Sequence, residues 1–553
     1  MGRRKVGRKR ARFLERTAKF VLLWLVVLSI IFSPIPLARD SSPGTSFISI
    51  DVRSPQSLST SFNVNQYDNL IVYVTSEKGS DLKIDLGDSF KLISERKIDL
   101  PDILFEGCEN IKQGTRFEYC LVPVKTGNNK INFLISDRQK YSIDITVKSS
   151  LFNDTAFASS QDTTPVIGVL KPLVLLVDFP DFKANYEIST PRFFQDMLFK
   201  EGNRSLYDFY YENSYGKLQV RGEVFNRWIT VSKNYSYYEG GYRGMGFYPN
   251  NSQKLVEEAI NSIDSVVNFS DYDGNGDGVV DGIFVVYAGQ RPDTKNPNRI
   301  YPHQWNITPI IKDGKTISSY TIVPEYRSKP GDTTIGVFCH EFGHMIGGID
   351  LYDLDGLVTQ SFDGKKSYGL GKWSVMAYGT YGTLDKFGDC PANFDPWHKI
   401  KFGWVQPIEI EGDIQSVEMT PAETNDGNVI KITSSDNSYE YFLIEYRKKI
   451  GFDASLPGEG ILVYHVDEGM NSDNFAWLPG ESCENHYLVS LMQADGKWDL
   501  EKCKNLGDKG DPFDCLSDFL SSLEFYNGES VGFRIGNVQL FENSLKLDFL
   551  KSK

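Results

Sequence analysis

Between residues 45 and 148, apolar and polar positions alternate with the period of a half-buried strand. Tyr141, Ile143, Ile145 and Val147 interleave with Ser142, Asp144 and Thr146, and segments 70–74, 82–86 and 131–135 repeat the pattern. Gly, Asp and Asn fall between them and no helical spacing interrupts, which predicts a β-sandwich over 45–148. A polar stretch, 149–164, reads as a linker. From 165 to 405 the pattern is mixed. Segments 173–177 and 284–287 are continuous apolar runs, as in strands covered on both faces, whereas 191–199 and 252–267 carry helical spacing. Strand patterns return beyond 406, at 429–432, 441–446, 461–466 and 545–549. The chain therefore reads as multidomain α+β: an N-terminal β-sandwich, a central mixed α/β domain at 165–405 and a β-rich C-terminal domain at 406–553.

The first 38 residues stand apart. Residues 1–19 hold nine basic groups against one acid, Glu15, and an apolar stretch follows at 21–32 before Pro34 and Pro36. Twelve residues match the apolar core of a signal peptide and are short for a bilayer span. The alternative is an uncleaved anchor over 20–38, tilted in the membrane. Either reading exports the rest of the chain, placing it outside the cell, secreted or anchored on the outer side of the membrane. Six N-x-[ST] sequons, at Asn153, Asn203, Asn234, Asn250, Asn268 and Asn306, agree with export.

Composition then narrows the function. With 553 residues, 40% of them hydrophobic and 13% aromatic, the chain can build several cores. Its net charge is −14, and once the basic terminus is set aside the remainder carries −22. That balance argues against a nucleic-acid partner, which needs a basic face. A mean hydropathy of −0.32 argues against a polytopic membrane protein.

Residues 340–350 read HEFGHMIGGID. On a helix, His340 and His344 lie one turn apart on the same face, where two imidazoles can share one Zn²⁺. Glu341 beside them is placed to take a proton from water. Thr333 or Thr334 can cap this helix, and Gly347 and Gly348 can end it by allowing positive φ. Asp350, ten residues after His340, is a third candidate ligand where the metzincin pattern has His. Asp353 and Asp355 are the next candidates. Downstream, WSVMAYG puts Met376 32 residues after His344, as a Met-containing turn beneath such a site would require.

These segments resemble the immune inhibitor A-type metalloproteases, a metzincin-like family. The likeness is carried by HEFGHMIGGIDLYD and WSVMAYG, and by SLYDFYYENSYGKLQVRGEV (205–224), FDPWHKIKFGWV (394–405), GEGILVYHVDE (458–468) and SVGFRIGNV (530–538). It covers roughly 165–550. It implies a metzincin-like zinc protease domain at 165–405, with zinc on His340, His344 and Asp350, Glu341 as general base and acid, Gly347 and Met376 in structural roles, and protein or peptide substrates. Tyr378 is similar to the Tyr that follows the Met-turn in astacin-like and serralysin-like enzymes, where it ligates zinc or binds the oxyanion. Its alternative is a packed ring.

A second metal reading concerns DYDGNGDGVVDG (271–282). Asp271, Asp273, Asn275, Asp277 and Asp281 alternate oxygens with glycines, as a structural Ca²⁺ loop would. Cys108 and Cys120 could close a short loop, and Cys390, Cys483, Cys503 and Cys515 two further bridges. Cys339 reads as a buried hydrophobe. His303 reads as structural. The resulting expectation is an exported zinc endopeptidase. The alternatives are a zymogen held inactive by its N-terminal domain, a non-peptidase zinc hydrolase and a non-enzymatic adhesion protein.

Overall fold

The computed structural model describes residues 165–552 except 247, 293–297, 354–366, 425–427 and 471–485, and between 56 and 148 it describes strand backbones. The latter are β1 (Gln56–Val64), β2 (Asn69–Ser76), β3 (Lys83–Asp85), β4 (Phe90–Leu100), β5 (Gly114–Pro123), β6 (Gly127–Ile135) and β7 (Tyr141–Lys148). They pair antiparallel in two sheets, ordered β1-β6-β3 and β4-β5-β2-β7. The packing that would make them a β-sandwich lies outside the described residues, as do segments 1–38 and 149–164.

The central region opens with a short parallel pair, β8 (Gly168–Leu170) and β10 (Leu218–Val220). Its main sheet has the order β11-β9-β12-β14-β13. Here β9 is Leu173–Asp178, β11 Glu223–Thr230, β12 Ile283–Gln290, β13 His303–Lys312 and β14 Lys315–Tyr326. All neighbours run parallel except β13, an antiparallel edge strand. Six helices of the described residues surround these strands or follow them: α1 (Pro191–Phe199), α2 (Leu206–Asn213), α3 (Tyr235–Glu239), α4 (Ser252–Ile263), α5 (Ile335–Met345) and α6 (Pro396–Lys401).

Successive side chains of β9 go to opposite faces, and both faces are covered. Val174 and Leu176 join Phe194, Phe209, Phe338 and Phe342 in one core. Leu173, Leu175 and Val177 join Leu255, Val256 and Ile260 in another. This two-sided burial is why the run is continuously apolar. Local chemistry sets the helix starts: Thr190 accepts from the Phe193 N–H ahead of Pro191, and Ser205 and Asp208 form a capping box. Helix α4 ends at Ile263, four residues before the spacing predicts. The Ile263 carbonyl accepts from both the Val266 and Val267 N–H groups, which closes the turn there.

The C-terminal strands are β15 (Ile408–Glu409), β16 (Ile414–Met419), β17 (Ile430–Thr433), β18 (Glu440–Arg447), β19 (Gly460–Asp467), β20 (Val489–Leu491), β21 (Phe533–Leu540) and β22 (Leu545–Lys551). They form a five-stranded sheet, β15-β17-β18-β19-β20, and a three-stranded one, β16-β22-β21. Phe442, Ile444 and Val463 face Leu545, Leu547 and Phe549 across the gap. The opposite face, with Leu443, Leu462 and Tyr464, packs against Trp373, Ala377 and Trp397. So the C-terminal sheet buttresses the turn that carries Met376.

Arg447 anchors that contact. It is fully buried and meets Glu423 at 3.3 Å, Glu445 at 2.9 Å and Asp453 at 2.5 Å. It also donates to the Trp373 carbonyl at 3.4 Å. Lys399, also buried, shares the charge of Glu445 and Asp453, but removing Arg447 takes away the cation in direct contact with three buried carboxylates. Arg447→Met should therefore cost about 3–5 kcal/mol of unfolding free energy, read as a lower midpoint in urea; an unchanged midpoint would contradict this picture.

Candidate metal centre

Helix α5 is built to sit tightly. Ile335, Phe338, Cys339 and Phe342 are buried in the core beneath the sheet. Thr334 occupies the cap position, yet its hydroxyl does not cap the helix and donates instead to the Phe387 carbonyl at 2.8 Å. The first-turn N–H of Gly336, which has no partner within the helix, donates to the Gly388 carbonyl at 2.9 Å. Position 336 must be Gly: a Cβ there would meet the Thr380 carbonyl oxygen at 2.2 Å.

On the opposite face, His340 and His344 converge. Their Nε2 atoms are 3.2 Å apart. Asp350 Oδ1 lies 3.2 Å from His340 Nε2 and 3.4 Å from His344 Nε2. The turn that returns Asp350 needs Gly347, at φ +96°. Leu351 N–H then donates to the Met376 carbonyl at 2.8 Å, pinning the segment to the Met-turn. The Met376 side chain is buried under the helix, where a Cβ on Gly343 would come within 2.7 Å of its sulfur. Asp353 does not join the cluster; its carboxylate accepts from the Ser367 N–H at 3.0 Å. Asp355 lies outside the described residues.

The donor set can be tested against Zn²⁺. His340 Nδ1 donates to the Val375 carbonyl at 2.8 Å, and His344 Nδ1 to the Gly348 carbonyl at 3.1 Å. In their neutral forms both rings would therefore turn Nε2 lone pairs toward each other and toward a carboxylate oxygen. Asp350 Oδ1 is buried and accepts no hydrogen bond of good geometry. Three acceptors facing one point call for a cation. Ligand atoms about 2.0–2.1 Å from a tetrahedral ion stand about 3.3 Å apart, close to the three spacings here. Burial favours the neutral forms, but the imidazole–carboxylate contacts outweigh it, lifting His340 to about 9 and holding Asp350 well below the usual carboxylate range.

Glu341 is buried beside the cluster. Burial raises its carboxyl, against the opposing pull of His340 and His344. A cleft of about 720 Å³ opens over these residues. Tyr378 lines it, with its ring 5.8 Å from Tyr352 and 5.2 Å from Tyr368. His303 also lines it, with Nε2 3.0 Å from Ser252 Oγ and Nδ1 2.7 Å from the Tyr301 carbonyl. Burial keeps His303 neutral, down to about 4.

One group beside the cluster left no mark in the spacing. His398 Nε2 accepts the Ile349 N–H at 3.1 Å, next to Asp350, while its Nδ1 donates to Asp395 Oδ2 at 2.7 Å. Asp395 also accepts from Ser374 Oγ at 2.7 Å, two residues before Met376. The network ties the ligand turn to the Met-turn. Its sequence signals are Asp395 ahead of Pro396, capping α6 at His398 N–H, and the family likeness of segment 394–405. His398→Phe should lower Zn²⁺ affinity about 10- to 100-fold, the usual scale for loss of a supporting residue, in a chelator-competition titration; unaltered affinity would remove this role.

In the acidic loop the side chains have hydrogen-bond partners of their own. Asp273 accepts from the Gly276, Asp277 and Gly278 N–H groups and pairs with Lys315 at 2.6 Å. Asp281 accepts from the Lys171 and Gly274 N–H groups. Asn275 donates to Asp277 at 2.8 Å. Asp271 accepts from Asn268 Nδ2 at 3.1 Å. Among the described residues, the only cluster of three or more His, Cys, Asp or Glu able to hold a metal is His340, His344 and Asp350. The disulfide expectation also changes: Cys390 and Cys515 are thiols, and Cys390 donates to the Phe452 carbonyl at 2.9 Å. Cys483 lies outside the described residues.

Residues 168–405 match the family model described as immune inhibitor A peptidase M6, catalytic domain. Immune inhibitor A of Bacillus thuringiensis subsp. alesti is 27% identical over 297 residues, which are 44% of this chain and 41% of that protein. Pre-pro-metalloprotease PrtV of Vibrio cholerae serotype O1 (strain M66-2) is 28% identical over 326 residues, 48% of this chain and 34% of that protein. The match thus spans less than half the length of either relative. No solved structure matches the chain.

Proposed function

We propose that this chain, whose residues 168–405 match the peptidase M6 catalytic domain, is a zinc-dependent endopeptidase acting on proteins outside the cell. The observation that carries the reading is the convergence of His340 Nε2, His344 Nε2 and Asp350 Oδ1 on one point, with Glu341 beside them. These three atoms would hold the metal. When bound, Zn²⁺ there supplies Lewis acidity toward a scissile carbonyl and makes water more acidic.

The chain's own residues do the rest. Glu341 takes the proton of the attacking water and hands it to the leaving amine. Its burial favours that exchange by raising the carboxyl toward the working range. The Val375 and Gly348 carbonyls fix the imidazole tautomers. Met376, packed against Gly343, fixes the height of the helix above the turn. Tyr378 is proposed to steady the developing oxyanion from the cleft wall, after rotation out of its contacts with Tyr352 and Tyr368. The helix, third ligand and Met-turn together make a metzincin-like arrangement.

Export belongs to the same proposal and rests on the basic run and apolar stretch within residues 1–38. No described helix is long and apolar enough to cross a membrane. A division at 45–148, 165–405 and 406–553 is likewise proposed, with the first part as a prodomain. A structural Ca²⁺ at Asp271, Asp273, Asn275, Asp277 and Asp281 is likewise proposed, on the sequence pattern alone; Asp273 pairs with Lys315 and backbone N–H groups. The experiment is cleavage of casein with and without a zinc chelator. Activity should disappear on chelation and return with added Zn²⁺; cleavage that survives metal removal would refute the proposal.

A further inference from the structure

Strands β12 and β14 are parallel neighbours, with Gln290 opposite Tyr326. The next residues along the two strands are Arg291 and Arg327, held side by side by a hydrogen bond from Arg291 N–H to the Tyr326 carbonyl at 3.3 Å. Both line the cleft that contains His340, His344 and Glu341. This is the carboxyl end of a mostly parallel sheet, where side chains leaving adjacent strands meet bound molecules.

The two guanidiniums share one aromatic platform. Arg327 Cζ lies 3.7 Å from the centre of the Phe387 ring, and Arg291 Cζ lies 5.8 Å from it. Tyr381 stacks on the same ring at 4.9 Å. The platform is tied to the metal helix through Thr334 and the Phe387 carbonyl. Among the described residues no ion pair involves either guanidinium, and Arg327 Nε is buried without a hydrogen-bond partner. The nearby Asp332 favours the charge on Arg327 without an ion pair, its oxygens accepting from the N–H groups of Arg327, Ser328 and Lys329. Burial and the neighbouring Arg291 both work against the charge on Arg327. Two half-buried cations side by side, with Asp332 near Arg327 but no ion pair at either guanidinium among the described residues, leave room for an anion from outside. Arginine's planar fork suits a carboxylate.

We propose that Arg291 and Arg327 form an anion subsite of the cleft, so that the enzyme favours substrates with a carboxylate close to the scissile bond. This rests on the peptidase reading above. The carboxylate can belong to an acidic side chain or to a chain terminus, and the test separates the two. Peptides paired as Glu or Gln at each position flanking the cleaved bond, and as C-terminal acid or amide, are compared by kcat/KM. Replacing a charged acceptor by a neutral one should cost about 10- to 100-fold at one position or at the terminus. That ratio should fall toward one in Arg327→Gln and in Arg291→Gln. Ratios near one throughout the wild-type series, or a preference that persists in both variants, would overturn the subsite.

Calorimetric binding of the same peptides to Glu341→Gln protein separates this inference from the peptidase reading. A Kd favouring the acidic partner without any cleavage by the wild type would leave the subsite standing and remove the peptidase. Equal Kd values with normal wild-type cleavage would do the reverse.

Discussion

Glu341→Gln should lose about 10²- to 10⁴-fold of kcat, the range a positioned general base supplies, while retaining a full complement of zinc. The two halves of this result come from different atoms. The converging ligand atoms belong to His340, His344 and Asp350, so the substitution leaves the binding set whole. Gln keeps the shape of Glu but cannot take a proton from water. Stability should hold or rise, because the carboxylate is buried and burial already disfavours its charge. Kinetic assay, metal analysis and thermal denaturation on one preparation check all three. Near-normal kcat would remove Glu341 from the reaction.

Asp350→Ala should abolish stoichiometric zinc binding. The carboxylate is the only anion among the three ligand atoms, and its loss leaves two neutral imidazoles. The effect should exceed the 10- to 100-fold typical of a supporting residue. It should also appear in stability. A metal bound only by the folded state raises the midpoint by mass action, by about 2.7 kcal/mol at a hundredfold excess over Kd. The wild-type melting temperature should therefore climb with added Zn²⁺, and that of Asp350→Ala should not. Asp353→Ala is the control, because its carboxylate serves the Ser367 N–H; loss of zinc in that variant alone would mean the wrong aspartate has been assigned.

The parts of the site that lie close along the chain were legible in the sequence. His340, Glu341 and His344 are placed by helical spacing, and Asp350 by one glycine turn. The Met-turn was legible as a motif, although not as the acceptor of the Leu351 N–H. What escaped depends on pairings made only in the fold. His398 reaches Ile349 from 49 positions away. Arg291 and Arg327 become neighbours because β12 and β14 are in register at Gln290 and Tyr326. The acidic loop is open to two readings for a related reason: the Asp and Gly content that suits a cation also suits side chains accepting from nearby backbone N–H groups. Lys315, 42 positions from Asp273, supplies the positive charge.

The strands divide in the same way. Continuous apolar runs in β9 and β12 mark two covered faces, which local pattern reveals. That the C-terminal sheet buttresses the Met-turn, through Trp373 and its hydrogen bond to Asp511 at 2.9 Å, is a long-range property. Such contacts make the 406–553 region part of the site's support.

The most direct measurement is X-ray absorption at the zinc edge on the purified full chain, with metal stoichiometry from the same sample. One zinc per chain is expected, with two imidazole nitrogens and carboxylate oxygen among its neighbours at about 2.0–2.2 Å. A sulfur neighbour at about 2.3 Å, or no zinc bound at all, would contradict it.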